Sequence, residues 1–279
     1  MKTNFHTHTS FCDGRAEAVC FVKEAISQGI SILGFSAHAP VPFPTLWTMN
    51  PKRIGEYRSE IFRLKEEYSD QLEIYCGLEA DFFPDILEQA QAFYSDYDWD
   101  FIIGSVHFLD TKPNGQRWCI DGSNEEFRVG WREITDNDPL LPVQKYFENT
   151  RNMVRRMNPD IIGHLDKIKI QYRPDCLIPE THPFYRKQVM DTLEEIAASD
   201  CIVEVSTRGI QKGQTFELYP SRWVIEKMYH LGIPVMINSD AHTPDTIAYG
   251  FDDAARILKE IGYRDAVTIK DNKWIGHPL

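Results

Sequence analysis

Two imidazoles separated by one residue, His6-Thr7-His8, stand at the end of a short, strand-like N-terminus. Side chains at i and i+2 of an extended segment project to the same side, so both rings would face one point, as two ligands of a shared metal ion do. A pair of surface histidines would read the same way, and the rest of the chain has to decide. His38, Glu79, His107, His164, Asp240 and His242 each fall at or just after the end of a segment that reads as a buried strand. Six of the nine histidines are placed like this, leaving only His182, His230 and His277 elsewhere. One histidine after a strand is ordinarily a hydrogen-bonded turn residue. Glu79 and Asp240, however, would be costly to bury without a cation. Imidazole plus carboxylate, with no thiolate pairs, suits zinc, iron or manganese at a catalytic centre with open coordination positions. No His-Glu-x-x-His occurs, so a zincin protease is excluded.

The elements that must position these residues alternate along the chain. Residues 16–28 have helical periodicity, with Ala18, Val22, Ala25 and Ile26 on one face and Gly29 as the stop. Residues 30–36 read as a buried strand leading to His38. Asn50-Pro51 is a helix start, Asn at the N-cap and Pro at the first helical position, for a charged helix reaching Tyr68. Further strands are expected at 72–78, 100–106, 161–163, 201–205 and 234–238, and helices at 85–94, 139–157, 184–198, 221–231 and 252–261. Such alternation predicts a parallel α/β sheet with right-handed crossovers. About seven units predict a barrel one unit short of the eight-fold kind, whose chemistry lies at the C-terminal ends of its strands. The polar segment at about 108–137, with its Gly and Trp residues, is too long for an ordinary connection and reads as a functional loop or lid.

Composition narrows the class. A chain of 279 residues, 42% hydrophobic, can bury a large core, and with no linker-like break it reads as one domain over residues 1–279. No apolar run is long enough to span a membrane and no secretory signal opens the chain, so a cytoplasmic protein is expected. The six cysteines are scattered without a Cys-x-x-Cys, against both a zinc ribbon and a disulfide framework. A net charge of −12 disfavours nucleic acid and anionic membranes as partners.

Taken in order, His6-Thr7-His8, Asp13, Ser36-Ala37-His38, Gly77-Leu78-Glu79, Gly104-Ser105-Val106-His107, Gly163-His164 and Ser239-Asp240-Ala241-His242 resemble the polymerase and histidinol phosphatase (PHP) superfamily, over almost the whole chain. Within it the chain is similar to the stand-alone histidinol-phosphatases of histidine biosynthesis. Phe108 after His107, then Trp118-Cys119-Ile120-Asp121, carries that likeness, as does Glu204-Val205-Ser206-Thr207-Arg208-Gly209-Ile210 leading to Tyr219-Pro220-Ser221. The resemblance implies a distorted, TIM-like (β/α)7 barrel and three divalent metal ions, zinc, manganese or iron. It assigns His6, His8, Glu79 and Asp240 to the first, Glu79, His107 and His164 to the second with Glu79 bridging, and Asp13, His38 and His242 to the third. Many relatives have His where this chain has Asp13, which also reads as a plain Asp-Gly turn residue. The implied reaction is hydrolysis of a small phosphate monoester, L-histidinol phosphate, by a metal-bridging hydroxide, with Glu79, Asp240 and His242 at the catalytic centre. Three divalent ions, three ligand carboxylates and a hydroxide sum to about +2, a match for a phosphate dianion.

Arg208 follows a strand end without a metal ligand and offers a planar donor fork to phosphate. Arg173 and Lys212 are weaker candidates, and a surface salt bridge is the competing reading of all three. Trp118, Asp121, Glu125, Glu126 and Trp131 in the long segment could receive the cationic end of the substrate or belong to a solvated flap. Phe43, Trp47 and Met49 could form the opposite wall or simply pack a loop. Alternatives at the level of function are a PHP phosphoesterase acting on nucleotides, oligonucleotides or phosphotyrosine, and a non-catalytic barrel that binds metal for structure. The oligomeric state is left open.

Overall fold

The computed structural model describes residues 1–172 and 176–279. Its strands are β1 Lys2–Asn4, β2 Ile30–His38, β3 Glu73–Asp81, β4 Phe101–Ser105, β5 Phe108–Thr111, β6 Arg117–Cys119, β7 Ile161–Ile162, β8 Ile202–Ser206, β9 Val235–Asn238, β10 Asp265–Lys270 and β11 Lys273–Pro278. Its helices are α1 Ala18–Ser27, α2 Ile54–Glu67, α3 Leu87–Gln91, α4 Asn124–Thr135, α5 Leu141–Arg156, α6 Pro183–Ala197, α7 Arg208–Gln211, α8 Arg222–His230 and α9 Phe251–Ile261. Seven strands pair in parallel in the order β1-β2-β3-β4-β7-β8-β9. An isolated parallel bridge between Thr7 and Ala241 joins the two ends, so the sheet is a nearly closed barrel. The bridge rests on two bonds: His8 N donates to Ala241 O at 2.8 Å and Ala241 N to His6 O at 3.0 Å.

Period-two alternation sorts each strand into two faces. From β2, Leu33, Phe35 and Ala37 pack outward against Phe21, Val22 and Ala25 of α1 and Tyr57, Ile61 and Leu64 of α2. Ile32 instead joins Phe5, Tyr75, Phe101, Ile103, Ile161, Ile202 and Met236 in a layer inside the barrel, one or more residues from every wall. Phe101 fills the centre of that layer because Gly34 and Gly77 carry no Cβ, which would run into its ring. Further along the same inward face the residues change to Ser36, His38, Glu79, Asp81 and Ser105, all buried. One end of the barrel is therefore an apolar plug, and the other end carries the chemistry.

Several expectations are met with small shifts of boundary. Asn50 does cap through its side chain, accepting from Lys52 N, though Pro51 opens a short 3-10 turn that leads into α2. The helix expected at 85–94 shrinks to α3, five residues. Residues 108–137 are not a structureless loop: they form the antiparallel pair β5–β6 and then α4. Helix α4 begins at a capping box, in which Ser123 and Glu126 satisfy each other's backbone N–H. Its apolar face, Phe127 and Trp131, joins the main core. The C-terminal hairpin β10–β11 adds an element that the strand–helix alternation does not predict. Asp271 and Asn272 take positive φ at its two-residue turn, a conformation these side chains tolerate, and Ile269 of β10 packs onto the barrel layer. Among the described residues no helix is long and apolar enough to cross a membrane.

The layer makes a stability prediction. Phe101→Ala should lower the free energy of unfolding by about 3–5 kcal/mol, because the two flanking glycines cannot expand into the cavity. Denaturant unfolding measures it; a loss below about 1 kcal/mol would mean that the layer does not carry the barrel.

Candidate metal centre

The Thr7–Ala241 bridge places the site. With Thr7 and Ala241 paired, His6 and His8 on one segment and Asp240 and His242 on the other project to the same side of the wall. His6 Nε2 and His8 Nε2 reach Glu79 Oε2 at 3.2 and 3.4 Å, and His8 Nε2 reaches Asp240 Oδ1 at 3.3 Å. His38 Nδ1 meets Glu79 Oε2 at 2.8 Å. On the other side of the same carboxylate, His164 Nε2 is 3.0 Å from Glu79 Oε1 and 3.2 Å from His107 Nε2. Asp13 completes the set, 3.2 Å from His242 Nε2 and 3.7 Å from His38 Nε2. It does so from within its turn, and Gly14 is required there, since a Cβ would overlap the His8–Thr9 backbone. All nine positions named from the resemblance thus converge.

Among the described residues three groups offer donor atoms within 4.8 Å of one another: His8, Asp13, His38 and His242; His6, His8 and Asp240; and His38, Glu79 and His107. The first two are close to the expected partition, with His8 shared. In the third, His38 stands where His164 was expected. The donor atoms themselves indicate that cations belong here. His6 Nε2, His8 Nε2, His38 Nδ1, Glu79 Oε2, Asp13 Oδ1 and Asp240 Oδ1 are buried and, although several crowd one another, none makes a hydrogen bond of good geometry. Six such atoms aimed into one space would be a large penalty without a ligand. His164 and Asp240 also hold positive φ, 24° and 50°, strain that the surrounding site must sustain.

Outer partners fix the rings. Glu204, fully buried on β8, accepts from His6 Nδ1 at 2.6 Å, from Asn238 Nδ2 at 3.0 Å and from His164 N at 3.1 Å. Asp81 Oδ1 accepts from both the backbone N and Nδ1 of His107, each at 3.0 Å. A ring that donates from Nδ1 leaves Nε2 as its lone-pair donor, which is what orients a metal-binding histidine. The sequence pattern does not mark either carboxylate as part of the centre. They do lie two residues past a ligand or one strand over, on the same inward face.

Charge is held in opposition. Burial disfavours a charged His6, yet Glu204, Glu79 and Asp240 hold it well above the ordinary imidazole range. Burial, His242 and His38 push His8 well below that range. Burial likewise works against His107, but Asp81 prevails and raises it to about 9. Glu79 and Asp240 stay well below the usual carboxylate range despite burial, held there by the surrounding rings and, for Asp240, by His6 and Arg208.

Above the cluster opens a cleft of about 220 Å³ lined by Arg208, Lys212, Lys167, Asp121 and Trp47. Arg208 Nε lies 3.9 Å from Asp240 Oδ2. Burial, Arg208 and Lys167 push the Lys212 ammonium down. Three cations thus gather at this cleft, with Asp121 2.9 Å from Lys167 and Asp240 beside Arg208. Of the three cationic candidates, Arg208 and Lys212 line this cleft, and Arg173 lies outside the described residues. Lys167 joins them unpredicted, although it follows His164 by only three residues. Trp118 is a correction: it is 1% exposed, its Nε1 donates to Phe127 O at 3.0 Å, and it wedges against Gly130 of α4. An aromatic side chain in a Gly-rich segment reads as binding surface, but here its ring is core. Trp47, by contrast, does reach the site, its ring centroid 4.5 Å from that of His38.

Two measurements test the centre. Glu204→Gln should weaken zinc binding about 10–100-fold in chelator competition, since an amide cannot accept from all three donors; unchanged affinity would remove Glu204 from the site. Zinc added to chelator-stripped protein near neutral pH should release protons, because the carboxylates around His6 and His107 favour their protonated rings and each must give up its Nε2 proton before it can bind, so affinity must fall as pH falls. Proton-neutral binding would contradict the charge pattern.

Known proteins match at both levels. The PHP domain model matches residues 4–208. A probable histidinol-phosphatase of Deinococcus radiodurans is 30% identical over 272 residues, 96% of each chain. Two solved structures share the fold. A candidate histidinol phosphatase of Listeria monocytogenes superposes with a TM-score of 0.81 at 21% identity, covering 90% of this chain and 99% of the other. Histidinol phosphate phosphatase of Lactococcus lactis, complexed with Zn, L-histidinol and phosphate, gives 0.75 at 22% identity over 98% of each. On the family model and the end-to-end match together, the chain belongs to the PHP domain family, in its histidinol-phosphatase branch.

Proposed function

We propose that this protein hydrolyses L-histidinol phosphate to L-histidinol and phosphate. The observation that carries the reading is the stacking of two features. A buried set of imidazole and carboxylate donors forms the floor of a cleft whose walls present Arg208 and Lys212. A phosphate monoester dianion suits both at once. The complex of the Lactococcus relative with Zn, L-histidinol and phosphate supports the choice of substrate, as does the name of the Deinococcus relative.

In this reading the nine convergent residues hold three divalent ions. His6, His8, Glu79 and Asp240 serve the first, Glu79, His107 and His164 the second, and Asp13, His38 and His242 the third, with zinc, manganese and iron all suited to the donors. Bound there, the ions would supply Lewis acidity toward the phosphoryl oxygens and a water whose proton is lost near neutral pH. The protein's own contribution is positional. Glu204 and Asp81 hold the His6 and His107 rings by their Nδ1 atoms. Arg208 orients the phosphoryl group with its fork, and Lys212 adds charge beside it. The product alcohol and phosphate are both small, which suits a cytoplasmic biosynthetic step.

Protein stripped with chelator and reloaded with Mn, Zn, Fe or Co should release phosphate from histidinol phosphate in preference to an aryl phosphate, nucleotides and a phosphotyrosine peptide. Preference for a nucleotide would sink the assignment. In the same assay His6→Ala should lower turnover by at least about 100-fold with little change in substrate affinity, as loss of a group acting on the transition state does. Arg208→Ala should lower kcat/KM by about 10–100-fold, the cost of a charge-assisted phosphate contact.

A further inference from the structure

Lys167 reaches from the wall of the cleft to the metal-binding atom of a ligand histidine. It opens the 3-10 turn Lys167–Gln171 that follows β7, and its side chain is 9% exposed. Its Nζ lies 2.9 Å from Asp121 Oδ2 and 3.3 Å from His107 Nε2. His107 donates from Nδ1 to Asp81, so Nε2 is the atom that faces Lys167 and the cluster and the one that would bind a metal. A metal at Nε2 would displace the ammonium from its place 3.3 Å from that atom. A Lys167 displaced from His107 keeps Asp121 and faces the cleft beside Arg208 and Lys212.

Asp121 comes from the segment between β6 and α4, and that segment is fastened to the turn carrying Lys167. Gln171 Nε2 donates to Ile120 O at 2.6 Å and to Gly122 O at 3.0 Å, and Asn124 Nδ2 donates to Gln171 Oε1 at 2.7 Å. Asp121 is thus set at a fixed place relative to Lys167, and it lines both the cleft and an adjoining groove of about 970 Å³. An ammonium this close to a cationic centre, with a single carboxylate beside it, is poised for a second anion.

We infer that Lys167 is a substrate ligand that donates to a phosphoryl oxygen, and that Asp121 is the positioning residue that aims it. Resting on the phosphatase reading, the assignment concerns the phosphoryl group shared by all its possible substrates. Lys167 would hold the phosphoryl oxygen in the cleft that it shares with Arg208, and its flexible stem lets it follow that oxygen as the bond to the leaving group breaks.

Inorganic phosphate is the probe, with metal content and melting temperature recorded for every variant. Lys167→Met should weaken competitive inhibition by inorganic phosphate by on the order of tenfold and raise KM by a similar factor for aryl and histidinol phosphates alike, while metal content stays intact. Lys167→Arg should restore a large part of the phosphate binding. Asp121→Asn should weaken phosphate binding less than Lys167→Met does, and should add nothing in the Lys167→Met background. Unchanged phosphate inhibition in metal-replete Lys167→Met would overturn the proposal. So would loss of metal from that variant with phosphate affinity per loaded centre unchanged, which would make Lys167 a support of the His107 site only. A substrate other than histidinol phosphate would overturn the specificity reading and leave the phosphate result standing, so the two failures are distinguishable.

Discussion

The parallel bridge between Thr7 and Ala241 is the constraint on which the rest depends. It is a pair of hydrogen bonds between the segments that continue the first and the last strands of the barrel, β1 and β9. Because strand side chains alternate, fixing Thr7 opposite Ala241 leaves no freedom in where His6, His8, Asp240 and His242 point. A slip of one residue would turn all four away from the cleft. Closing the barrel and assembling the centre are therefore a single structural event. It makes neighbours of residues from opposite ends of the chain, as the Asn4–Ser239 bond beside them also shows.

Around that point the structure balances charge rather than avoiding it. Glu79 has rings on both of its oxygens, and Glu204 and Asp81 stand behind two of those rings. The same arrangement opposes the protonation of His8 while favouring that of His6 and His107. Imidazoles so divided are suited to exchanging protons for cations. The apolar layer of Phe5, Tyr75, Phe101 and their neighbours closes the other end of the barrel and keeps water from reaching the centre from below. Low dielectric around the cluster makes each of its interactions stronger than at a surface.

Much of the centre is legible in the chain because the relevant signals are local. A histidine or carboxylate directly after a run of buried residues marks a strand end, and its recurrence from His6 to His242 points to a shared cation. The features that mislead are also local in kind. Residues 108–137 are polar and contain Gly, and their loop-like composition hides a capping box at Ser123 and an apolar pair, Phe127 and Trp131, that stack a helix on the core. Trp118 resembles binding surface because a tryptophan's polar tip and apolar body suit both roles, and only packing against Gly130 separates them.

The sequence by itself determined the alternation of strands and helices, the barrel, the donor types and the end of the barrel at which they gather. Each of these follows from periodicity or residue chemistry. Tertiary structure alone decided which atoms meet: that His38 joins Glu79 and His107, that Glu204 and Asp81 orient His6 and His107, and that Lys167 enters the cleft with Asp121 from the insertion. Those are contacts between distant segments, set by register and packing over distances that no local pattern encodes.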